Sequence, residues 1–70
     1  MHLMLTIYTF TDNTRYTKGA NSFKPTKPIL YYTKVYRTND STYLFYYFNH
    51  NDVEITEKHV KTLKLLNGQS

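Results

Sequence analysis

His50, Asp52 and Glu54 alternate along the chain, so an extended backbone would place one imidazole and two carboxylates on one side. A divalent cation accepts such ligands. Asn49 and Asn51 between them favour a different use, a solvated turn in which Asn and Asp side chains bond their own backbone. The turn is the preferred reading, and no metal site is assigned. Nucleophilic or acid–base catalysis has still less material. The 70 residues contain no cysteine, no glycine-rich phosphate loop and, outside that turn, no pair of carboxylates on a shared face. A chain of this length also has little volume for a closed pocket. The expectation is a binding protein without catalytic activity or cofactor.

The chemistry on offer is instead that of aromatic rings. Residues 29–48, ILYYTKVYRTNDSTYLFYYF, hold six of the eight tyrosines. Two ring-rich runs flank a polar Asn39-Asp40-Ser41 turn, which predicts a long β-hairpin with strands over about 29–38 and 42–48. With a loop of two or four residues, odd positions of the first strand share a face with even positions of the second. Ile29, Tyr31, Val35, Leu44, Tyr46 and Phe48 then form a core face. Leu30, Tyr32, Lys34 and Tyr36 join Tyr43, Phe45 and Tyr47 in a ring platform with a lysine at its middle. A three-residue loop would exchange the faces, because side chains alternate along a strand.

Such a platform can stack on nucleic-acid bases while neighbouring cations follow the phosphates. It can also anchor a protein partner, since Tyr and Arg are enriched at interface hot spots. The plain structural alternative is rings that stack on one another, with Lys34 laying its stem over an apolar patch. The candidate binding residues are Tyr32, Lys34, Tyr36, Arg37, Tyr43 and Tyr47, with Lys24 and Lys27 supplying charge from the preceding segment. The net charge of +4 is uneven: residues 1–38 carry six cations against Asp12 alone, while residues 39–70 are slightly acidic. Such asymmetry can mark an anion-binding side, and it argues against a mimic of DNA.

The elements that must position these residues follow from composition. A single alanine and eleven threonines disfavour a mainly helical chain. MHLMLTIYTF reads as a strand over about 3–10 rather than a signal peptide, lacking a basic start and a small-residue cleavage site. Leu3, Leu5 and Ile7 would face one way, and Met4, Thr6, Tyr8 and Phe10 the other. The connection over 12–28 is long for a structureless loop, so part of it, 14–18 or 22–24, is expected to pair as an edge strand. Pro25 and Pro28, at P-x-x-P spacing, read as a stiff lead-in to the hairpin. After a turn at 49–52, Val53 and Ile55 suggest a short strand, and Thr56 is a suitable cap for a helix ending at Asn67-Gly68. Val60, Leu63 and Leu66 would face the sheet, with Lys58, Lys61 and Lys64 in water.

The expected fold is one compact β-rich α+β domain over residues 1–70: an antiparallel sheet of three to five strands with a short C-terminal helix. The alternative is all-β. With LTIYTFTD opening and ITEKHVKTLKLL closing as one turn and a strand, the spacing resembles the five-stranded small barrel of the Src-homology 3 kind. That family's glycine and tryptophan pattern is missing, and no binding residue is carried over. No apolar run reaches the ~20 residues of a membrane span, and a cytoplasmic protein is expected. Size and Asn/Lys/Tyr/Thr-rich composition resemble small proteins of AT-rich phages and mobile elements. The functional expectation is an interaction module that inhibits or modulates a larger protein, such as a nucleic-acid-processing complex of a host. Direct nucleic-acid binding by the same tyrosines and the basic first half is the alternative, and homodimerisation through a spare hairpin face fits both.

Overall fold

The computed structural model describes residues 1–19 and 24–68. They form β1 (His2–Phe10), β2 (Arg15–Lys18), β3 (Ile29–Arg37), β4 (Tyr43–Asn49), β5 (Glu54–Ile55) and the helix α1 (Glu57–Asn67). The strands make one antiparallel sheet in the order β2-β1-β3-β4-β5, open at both edges. The small α+β fold is therefore as expected, and the barrel alternative is not: its closing strand is helix from Glu57 onward. The edge strand falls at Arg15–Lys18; its alternative at 22–24 lies largely outside the described residues.

All three hairpins close in the same way. Residues four apart pair through backbone bonds: Phe10 N–H to Thr14 C=O at 2.8 Å, Thr38 to Thr42 at 2.8 Å and Asn49 to Val53 at 2.9 Å. The last residue of each three-residue loop is left-handed, Asn13 at φ 71°, Ser41 at 69° and Asp52 at 64°. This is the three-residue hairpin loop built on a type I turn and a left-handed residue. An odd loop pairs residues of equal parity, and the β3–β4 register runs from Arg37 opposite Tyr43 to Tyr31 opposite Asn49. The expected faces of β4 are therefore exchanged. Leu44, Tyr46 and Phe48 join Tyr32, Lys34 and Tyr36, while Tyr43, Phe45 and Tyr47 join Tyr31, Thr33 and Val35. In β1, a register shift between Leu3 and Leu5 sets Leu3 opposite Tyr36, away from the side of Leu5 and Ile7.

The helix lies on the Tyr31–Thr33 side. Thr56 caps it, its Oγ1 accepting the His59 N–H at 3.1 Å, with Glu57 in the first turn. Val60 is buried and Leu63 half-buried, but Leu66 is 66% exposed rather than facing the sheet, as is Leu65 at 64%. The C-terminal turn is held by polar contacts: Asn67 Nδ2 donates to Thr11 C=O at 3.0 Å and to Asn13 Oδ1 at 3.1 Å. Lys64 is exposed, as expected, and its ammonium lies 5.7 Å from the Tyr31 ring centre. Phe10, Tyr31, Tyr32, Val35 and Val60 form the buried apolar core, with Thr6, Thr9 and Thr33 buried among the strands. Among the described residues no helix is long and apolar enough to cross a membrane.

Candidate binding surface

The sheet face opposite the helix is paved with rings. Tyr16, Tyr8, Tyr32 and Phe48 stand opposite one another across four adjacent strands. The Tyr8 and Tyr32 ring centres are 5.5 Å apart, and Tyr32 stacks on Phe48 at 5.1 Å with the planes 15° apart. Tyr36 and Tyr46 meet edge to face at 5.5 Å. Each such pair adds about 0.5–1.5 kcal/mol beyond its burial. Lys34 sits within this surface, its ammonium 5.4 Å from the Phe48 ring centre. Lys18 and Glu54 share the face, opposite Thr6 and Phe48 respectively.

Tyr32 is the fixed point of the row. It is buried, and its hydroxyl donates to Asp52 Oδ1 at 2.8 Å. Burial raises the Tyr32 hydroxyl above the ordinary tyrosine range, and the hydrogen bond to and charge of Asp52 raise it further. Burial also raises Tyr8, with the same carboxylate adding to the effect. The left-handed conformation of Asp52 thus ends a hairpin and anchors a ring. His50, Asp52 and Glu54 do not gather: among the described residues no three His, Cys, Asp or Glu side chains form a group able to hold a metal.

Of the eight binding candidates, the structure brings together Tyr32, Lys34 and Tyr36. Tyr43 and Tyr47 belong to the helix side of the sheet, as the loop parity requires. Arg37 pairs with Tyr43 on that side, and its guanidinium donates to Ser41 Oγ at 3.0 Å. Lys27 is drawn to the first hairpin, 3.0 Å from Asp12 Oδ2 and 2.9 Å from Thr14 Oγ1, with the Phe10 ring centre 4.8 Å away. The two hydrogen bonds from Thr14, then Lys27, pull the Asp12 carboxyl down to about 2. Lys24 is exposed in the lead-in to β3. Tyr8, Tyr46 and Phe48 were missed as members of the platform. The readable signal is an Asx side chain at each turn: Thr14 N–H is accepted by Asp12 and Thr42 N–H by Asp40 within their loops, and Val53 N–H by Asn49, the residue before the third loop.

No protein-family model, curated protein or solved structure matches the chain.

Proposed function

We propose that the chain is a non-catalytic interaction module that docks a larger protein through the open, ring-bearing face of its sheet. The observation that supports this most is the separation of rings from cations. The open face carries Tyr8, Tyr32, Tyr36, Tyr46 and Phe48, but its charges are Lys18 and Lys34 against Glu54 and Asp52 at the margin. A nucleic-acid platform needs cations flanking its rings to follow a backbone. Here Arg15 and Arg37 stand opposite Thr9 and Tyr43, on the helix side. A broad, nearly charge-balanced aromatic face suits a protein surface, where tyrosine is an anchor and charge is sparse at the centre. By covering part of its partner, such a module blocks or modulates it without changing it chemically.

The test is cross-linking and affinity capture with the wild-type protein beside Tyr36→Ala and Tyr46→Ala variants, their folding checked by circular dichroism. A partner held by this face is lost from folded variants, at a cost of about 1–3 kcal/mol with weak salt dependence. Equal capture by the variants sinks the proposal. A second copy of the chain as the captured species replaces the larger partner with self-association.

A further inference from the structure

Under α1, on the face away from the proposed docking surface, lies a cleft of about 250 Å³. Its walls combine three cations, Arg15, Lys61 and Lys64, with the Phe45 ring, while Glu57 is the one carboxylate lining it. Among the described residues, none of the three cations has an ion-pair partner; the pair observed there is Lys27 with Asp12. Their convergence is not a by-product of helix amphipathicity. Glu57, Val60, Lys64 and Asn67 follow the spacing of a single helical stripe, so Lys64 shares the sheet-facing side with buried Val60. Leu65 and Leu66 meanwhile point into water. A helix shaped only to cover the sheet would have the reverse arrangement. Like charges brought together at a low-dielectric wall repel, and a bound anion relieves that repulsion.

We infer that this cleft binds a nucleotide, its phosphate held by Arg15, Lys61 and Lys64 and its base against the Phe45 ring. Two observations select a nucleotide over a bare anion. Phe45 is 55% exposed at the cleft, leaving a ring surface for stacking. The volume is just below the roughly 300 Å³ at which small-ligand sites begin, so the cleft takes no more than one nucleotide unit, part of it in the open mouth. The same chemistry is supplied by a free mononucleotide or by one nucleotide of a single strand.

The experiment is an amide-resolved NMR titration of the intact protein with adenosine 5′-monophosphate, adenosine, inorganic phosphate and a short oligodeoxyadenylate. Adenosine monophosphate is expected to shift Arg15, Phe45, Lys61 and Lys64, and to bind about tenfold tighter than adenosine or phosphate alone. A Lys61→Gln/Lys64→Gln variant, both changes at exposed positions, should bind it about tenfold more weakly or worse. Tyr46→Ala, on the opposite face, should leave binding unchanged whatever it does to a protein partner. Tighter binding of the oligonucleotide, weakening with salt, identifies a strand as the source; equal binding identifies the free nucleotide. No shifts at millimolar ligand, equal affinity for phosphate alone, or full affinity in the double variant overturns the inference.

Discussion

Tyr32 shows how one residue can serve both fold and surface. Its ring is sandwiched between Tyr8 and Phe48, and its hydroxyl reaches Asp52 across the β4–β5 loop. Removing the hydroxyl by Tyr32→Phe should keep the stack and cost about 1 kcal/mol of stability in urea unfolding at neutral pH. A pH dependence accompanies it. The folded protein holds Tyr32 protonated to higher pH than the unfolded chain, where tyrosine ionises near 10. Its contribution is therefore complete below about pH 10 and is lost as pH rises from there through the higher folded value. Thermal melts between roughly pH 9 and 11.5 should show a shallower alkaline decline in Tyr32→Phe than in wild type. Identical slopes would show that the hydroxyl is not held by the fold.

At the scale of elements, three loops of one design decide which side chains meet. Each places a non-glycine residue at positive φ, a conformation that costs an L-residue about 1 kcal/mol or more. Ser41 has little to lose by replacement, its side chain accepting one exposed bond from Arg37. Ser41→Gly should therefore raise stability by up to about 1 kcal/mol, read as an increase in unfolding midpoint. Asp52→Gly should not, because the Tyr32 partner goes with it. The helix depends in turn on its cap. Thr56→Ala removes the acceptor for His59 N–H and should cost about 1 kcal/mol, with the loss of helical circular dichroism preceding that of the sheet.

That order of loss reflects the whole molecule. The sheet is knit by long ladders between β1, β3 and β4, whereas α1 is seated by one buried residue, Val60, and by the bonds of Asn67. Regions with few buried contacts open locally at low free energy. Hydrogen exchange should accordingly run fastest in α1 and β5 and slowest at the centre of β3. Uniform protection would mean that helix and sheet open together. A ligand in the cleft bridges the sheet and the helix through Arg15 and Lys61, and should slow α1 exchange selectively.

Much of this architecture was legible in the residues. The ring-rich runs around Asn39-Asp40-Ser41 marked the hairpin, the alternation in MHLMLTIYTF marked β1, and Thr56 with Glu57 marked the helix start, because strand pleat and helix caps are local properties. Tyr32, Lys34 and Tyr36 were assigned to one face for the same reason. What escaped was parity. Asn13, Ser41 and Asp52 occupy positions where glycine would have announced an odd loop, so Tyr46 and Phe48 exchanged places with Tyr43 and Tyr47. The composition and order of residues determined a sheet rich in rings with a basic first half. Only the tertiary structure decided which rings share a surface and which cations meet beneath the helix. The physical reason is that one residue in a loop turns every side chain beyond it to the other side of the sheet.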